Sequence, residues 1–243
     1  MLVTVLGCSG SYPAADCGCS GYLVEHDDTA VVVDLGPGCL STLQHHIPLD
    51  RIDAVVLSHA HPDHWVDLTG LHVALKYGVG AEGLPVWGTA ANREMAELLC
   101  GGVGSTFDWR ITGDGDEFAV GSLRFALAET DHYIETHAVR VGATDGSSII
   151  YSSDTGPDWD ISVLGTSCDL AIIESTYATD DDAAGTKHLS AAQAGAMGRA
   201  AGASRLALTH FWPGSDRAMH AVNGSGAYGA PVEIASPHAR YQL

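Results

Sequence analysis

Apolar positions follow two periods along this chain. Short β-branched runs closed by Gly, Asp or Pro predict strands at 2–6, 21–25 and 30–34, read as a meander. A helix is expected over 39–46, stopped by Pro48, followed by a buried strand at 52–57 that runs straight into Ser58-His59. Leu68, Leu71, His72 and Leu75 recur at helical spacing, and 90–99 repeats the pattern after a short strand at 84–87. The second half alternates likewise, with strands at 123–127, 138–141, 148–152, 170–174 and 205–208. Before the last of these, Ser190 and Gln193 fit a capping box opening a helix over 191–201, whose Ala and Gly content requires a close neighbour. No linker or low-complexity tract interrupts the alternation. Both halves run from strands through a histidine-bearing loop to a helix, which predicts two sheets covered by helices in a single domain spanning 1–243.

Composition narrows the functions this framework can serve. At 243 residues with 46% hydrophobic and 17% charged positions, the chain can bury a sizeable core. No apolar run approaches the roughly 18 residues a spanning helix needs, and no basic-flanked leader opens the chain, so a cytoplasmic location is expected. Thirty acidic residues against eleven basic give a net charge of −19, which opposes extended nucleic-acid binding. Six cysteines are too few for a disulfide scaffold and read as reduced thiols; Cys17 and Cys19 form a lone Cys-x-Cys, assigned to loop packing.

The chemistry concentrates in Ser58-His59-Ala60-His61-Pro62-Asp63-His64. Four metal-competent side chains stand within six positions on a strand-to-helix loop. Imidazole and carboxylate suit borderline cations, and alternate residues of an extended loop point the same way, so His59 and His61 can share one ion while Asp63 and His64 face a second. The isolated His26, His45, His46, His72 and His220 are read as ordinary surface or core residues.

This motif resembles the signature His-x-His-x-Asp-His of the metallo-β-lactamase superfamily, and the likeness extends over nearly the whole chain. It implies a four-layer αββα sandwich and a binuclear site. His132 in Thr-Asp-His, Asp154 in Ser-Ser-Asp-Thr-Gly and His210 in Leu-Thr-His-Phe match the remaining ligand positions. The resemblance thus implies one ion on His59, His61 and His132, a second on Asp63, His64 and His210, and Asp154 between them. The metals implied are two divalent ions, Zn²⁺ first, with Mn²⁺ or Fe as alternatives. The segments Leu6-Gly7-Cys8-Ser9-Gly10-Ser11, Thr136-His137-Ala138-Val139-Arg140, Glu174-Ser175-Thr176 and Lys187-His188-Leu189-Ser190 resemble the phosphodiesterase branch, which includes transfer-RNA 3′-processing enzymes and bacterial cyclic-nucleotide phosphodiesterases. In that branch a residue matching His188 assists the leaving oxygen; Glu174 is expected to orient it or merely to end its strand, and Asp63 to double as proton acceptor. Gly36-Pro37-Gly38 is expected to bring backbone amides toward the site.

Substrate class follows from a departure. Transfer-RNA processing relies on a basic arm between the first motif and the middle His, but Gly78 to Asp116 holds only Arg93 and Arg110 against Glu82, Glu94, Glu97, Asp108, Asp114 and Asp116. That sign is wrong for clamping RNA. The expected substrate is therefore a small phosphodiester, 3′,5′-cyclic AMP first, with a transfer-RNA endonuclease or another hydrolase of the fold (thioesterase, lactonase, sulfatase) as the alternative. The resemblance also implies a homodimer. No role is assigned to His238 and Arg240 in the closing segment.

Overall fold

A computed structural model describes residues 1–243 in two compact units. The first comprises Met1–Thr112 with Val120–Ser122 and Ser236–Gln242. Its strands are β1 (Leu2–Gly7), β2 (Gly21–His26), β3 (Thr29–Leu35), β4 (Ala54–Val56), β5 (Leu84–Gly88) and β6 (Phe107–Ile111). Its helices are α1 (Cys39–Leu43), α2 (Pro62–Trp65), α3 (Asp67–Val73) and α4 (Ala90–Cys100). The sheet orders these as β1-β2-β3-β4-β5-β6, with the C-terminal strand Arg240–Gln242 antiparallel to β1 at the edge. β1 to β3 form the expected antiparallel meander, whereas β3 to β6 run parallel. Leu6, Leu23, Val32, Leu35 and Val55 from the sheet pack with Trp65, Leu68 and Leu71 from the helices, all buried. Each such side chain contributes about 1.5–3 kcal/mol by leaving water.

The second unit comprises Gly113–Ala119, Leu123–Ala235 and Leu243. Its elements are β7 (Glu117–Val120), β8 (Leu123–Glu129), β9 (His137–Ala143), β10 (Ser148–Tyr151), β11 (Cys168–Glu174), α5 (Asp180–Ala183), α6 (Ala191–Ala200), β12 (Ala203–Thr209), α7 (Arg217–Tyr228) and β13 (Glu233–Ile234). The sheet order is β13-β12-β11-β10-β9-β8-β7, with β8, β9 and β10 antiparallel and β10 to β13 parallel. Each sheet thus joins an antiparallel ribbon to four parallel strands, and the inner parallel strands are buried, largely apolar runs, whereas the edge strands β6 and β13 are partly exposed. Two helix-covered mixed sheets are the α/β class the sequence predicts.

Several elements differ from expectation. The helix predicted over 39–46 ends at Leu43, and the strand predicted over 52–57 keeps ladder pairing only at Ala54–Val56. The capping box of Ser190 and Gln193 is present, and Thr89 with Asn92 forms a second one on α4. The close neighbour required by α6 is α7: a Cβ on Gly195 would lie 2.3 Å from the carbonyl oxygen of Gly224. Side chains at that crossing would force the two helices apart.

Candidate metal centre

In the first unit the motif loop leaves β4, a parallel strand, at its C-terminal end, where α/β sheets collect ligand sites. Pro62 opens α2 with its fixed φ, and Asp63 and His64 follow within the same four-residue helix. His59 and His64 are fully buried, Asp63 nearly so, and His61 is half-buried. His59 Nε2 lies 3.1 Å from His61 Nδ1, and the rings of His59 and His64 have centroids 4.1 Å apart. Asp34, near the end of β3, holds this arrangement: its Oδ1 accepts from Ser58 N and its Oδ2 from Ser58 Oγ and His64 Nδ1, each at 2.8 Å. Asn92 Nδ2 donates to the His59 carbonyl at 2.7 Å, and the Ser11 amide donates to Asp63 Oδ2 at 2.8 Å. Gly36 serves a purpose other than the expected one. Its amide donates to the Ser20 carbonyl, and a Cβ there would lie 1.9 Å from the Asp63 carbonyl oxygen. Only glycine lets β3's exit pass this close to α2.

In the second unit the remaining residues converge on Asp154, which follows β10 and is 2% exposed. His132 Nε2 approaches Asp154 Oδ2 at 3.7 Å and His210 Nε2 approaches Oδ1 at 3.3 Å, so the two carboxylate oxygens face different rings. Each ring is anchored through its other nitrogen: His132 Nδ1 bonds the Lys187 carbonyl at 3.1 Å and His210 Nδ1 the Thr176 hydroxyl at 2.9 Å. Asp154, His188 and His210 bring one ligand atom each within 4.8 Å of one another. His188 stacks on His210 with ring planes 15° apart, and its Nδ1 lies 2.9 Å from Glu174 Oε1. Glu174 is buried at the end of β11, where it also accepts from the amides of Thr155, Thr176 and Leu189 and from Thr176 Oγ1.

The donor chemistry of each unit suits a divalent cation. Buried imidazoles whose second nitrogen is tied to a carboxylate, hydroxyl or carbonyl are held at one orientation, as metal-binding histidines are. Asp34 and Thr176 are the residues that sequence reasoning missed in these roles. Both are buried polar side chains at or just beyond strand ends.

Three of the histidines read as ordinary have other partners. His26 bonds Ser122, His46 bonds His238, and His220 bonds Ser175 and Ser215. Burial pushes the pKa of His137 and His72 down, and that of His220 down to about 4. Beside Thr176 opens a cleft of about 410 Å³ lined by Tyr177, Trp212, Met219, Asp182 and Asp216, in which Trp212 is 42% exposed and stacks on Tyr177. A larger groove of about 780 Å³ in the same unit carries Asp114, Glu129, Asp131, Asp158 and Asp160. No helix is long and apolar enough to cross a membrane.

Comparison with known proteins gives a consistent result. The family described as Beta-lactamase superfamily domain matches residues 29–211. The probable metallo-hydrolase YhfI of Bacillus subtilis is 34% identical over 217 residues, covering 87% of each chain. Its crystal structure, a metallo-beta-lactamase fold protein, superposes with a TM-score of 0.91 at 28% identity over 99% of this chain and 98% of that one. Human tRNase Z, short form, gives a TM-score of 0.80 at 21% identity over 100% and 99% of the two chains. A diphosphatase from the PhnP family gives 0.76 at 16% over 100% and 97%. At the last two identities the likeness is one of fold.

Proposed function

The chain belongs to the beta-lactamase superfamily and is a metal-dependent hydrolase, and from that premise we propose that it cleaves small phosphodiesters, 3′,5′-cyclic AMP first, with two divalent ions held by one catalytic domain spanning 1–243. His59, His61 and His132 would hold one ion, Asp63, His64 and His210 the second, and Asp154 both. When bound, the ions supply Lewis acidity toward the phosphate and an activated water. Zn²⁺ suits these nitrogen and oxygen donors, as do Mn²⁺ and Fe.

The observation that carries the reading is the pair formed by His188 and Glu174 beside Asp154. A carboxylate only accepts, so Glu174 keeps a proton on His188 Nδ1 and stabilises the imidazolium. The protonated ring then gives its Nε2 proton to the departing ester oxygen and stays hydrogen-bonded to Glu174 throughout. Asp63, steadied by the Ser11 amide, takes the proton of the attacking water. The cleft lined by Tyr177 and Trp212 receives the apolar face of the nucleoside, and the acidic groove of the same unit disfavours an extended polyanion. We read the active form as a homodimer, which light scattering on the purified protein tests.

The deciding experiment offers 3′,5′-cyclic AMP and a short precursor transfer RNA in parallel to protein reconstituted with Zn²⁺ or Mn²⁺. Release of 5′-AMP with intact RNA supports the proposal. Cleaved RNA with untouched nucleotide replaces it with the endonuclease alternative, and inertness toward both transfers the site to thioester, lactone or sulfate ester substrates.

A further inference from the structure

We infer that Cys8 and Cys17 form a reversible disulfide that loosens the hold on Asp63 when it closes. Their sulfurs touch, with Sγ···Sγ at 3.5 Å, although no disulfide joins any of the six cysteines. Cys8 is buried at the exit of β1, and Cys17 is half-buried on the returning arm of the same loop. The base of the loop is already fastened, since the amides of Cys8 and Ser9 both donate to the Gly18 carbonyl at 3.0 Å. Its tip is exposed, and Ser11 and Asp16 hold left-handed backbone at φ 62° and 59°. An oxidant therefore reaches Cys17 first, with Cys8 in van der Waals contact behind it.

The other buried thiols are placed differently. Burial pushes up the thiols of Cys19 and Cys39, the latter bonded through Sγ to the Cys19 carbonyl, and holds Cys168 at about 11 in the other unit. The oxidant class is a hydroperoxide. The Cys17 sulfur attacks one peroxide oxygen, breaking the O–O bond, and the Cys17 thiol proton leaves in the first water. The Cys8 sulfur then displaces the hydroxyl from Cys17, forming the S–S bond, and the Cys8 proton leaves in the second water. Two thiols and one H₂O₂ become one disulfide and two waters.

Closure draws the sulfurs from 3.5 Å to about 2.05 Å, and the displacement falls on the loop between them. That loop carries the Ser11 amide, which donates to Asp63 Oδ2. The regulatory consequence rests on the metal-centre reading above, whereas the bond itself does not. The test treats the Zn²⁺-reconstituted protein with a few equivalents of H₂O₂, traps thiols by alkylation and maps peptides without reduction. The expected result is a linked Cys8–Cys17 peptide, at least a fivefold fall in bound metal and in phosphodiester turnover, and recovery of both with a phosphine reductant. Cys17→Ser should keep its metal under peroxide, while Cys100→Ser should respond like the unaltered chain. Absence of the linked peptide, its formation with metal content unchanged, or equal metal loss in Cys17→Ser would overturn the inference. A reduced protein inert toward every phosphodiester would refute the substrate reading alone, because peptide mapping and metal content still decide this one.

Discussion

Acid should weaken this protein through one buried imidazole far from the motif loop in sequence. His220 on α7 is inaccessible to solvent, bonds Ser175 Oγ at 2.8 Å and Ser215 Oγ at 3.1 Å, and meets Phe211 edge-on. Burial, aided by the charge of Arg217 and opposed by Asp216, lowers its pKa from 6.5 to about 4. In the unfolded chain the group returns to the ordinary value, so between the two pKa values the unfolded state binds more protons. Stability is indifferent to His220 above pH 6.5, declines as pH falls below it, and carries the full penalty below about 4. At about 1.4 kcal/mol per pH unit, that penalty is about 3 kcal/mol. The perturbation is His220→Gln, which can still hydrogen-bond to Ser175 but does not titrate. Urea unfolding of metal-stripped protein, followed by tryptophan fluorescence at pH 7.5 and pH 4.5, measures the difference. The unaltered chain should lose about 2–3 kcal/mol more than the variant between the two pH values. Parallel pH dependence in the two proteins would refute the reasoning.

Further outcomes follow from the site. Gly36→Ala should destabilise the fold by at least about 3 kcal/mol in chemical denaturation and lower metal content, because its methyl group collides with the Asp63 carbonyl. Asp34→Asn should weaken metal binding about 10–100-fold in competition with a chelator, since His64 loses a charged acceptor. Glu174→Gln should retain metal yet lower kcat about 10–100-fold and shift the pH profile of turnover, the imidazolium of His188 having lost its counter-charge. Asp154→Ala should lose metal and activity together, whereas His188→Ala keeps metal in elemental analysis and turns over more slowly.

What the chain discloses before folding depends on how local the signal is. The strands β1 to β5 and β8 to β12 are apolar enough to read directly, and the capping box at Ser190 places α6 to within a residue. α7 escapes because Asn223-Gly224-Ser225-Gly226 suppresses helix propensity, yet a Cβ on Gly224 would lie 2.7 Å from Leu208 Cδ1. Packing requires what propensity penalises. β6 escapes because its residues beyond Phe107 are exposed apart from the half-buried Trp109. Likewise, His59 to His64 are conspicuous through clustering, and Glu174 and His188 through their segments. Asp34 acts on residues distant in the chain and has no neighbour in sequence that marks it, whereas Thr176 lies in the segment marked by Glu174 but acts on His210, a residue distant in the chain.

Thr176 carries one more consequence. Its hydroxyl holds a single proton and faces three partners: Glu174 Oε2 at 2.8 Å, His210 Nδ1 at 2.9 Å and His188 Nδ1 at 3.3 Å. The carboxylate can only accept, so the threonine proton lies toward Glu174 and the His210 ring must bring its own hydrogen to the oxygen, while the shorter contact of His188 Nδ1, at 2.9 Å, is to Glu174 Oε1. Glu174 therefore selects the tautomer of two histidines at once, His188 directly and His210 through the threonine proton, leaving each with its lone pair on Nε2 unless a second proton binds there. The buried charge of Glu174 thus reaches His210 without touching it, as a direction imposed on a chain of protons.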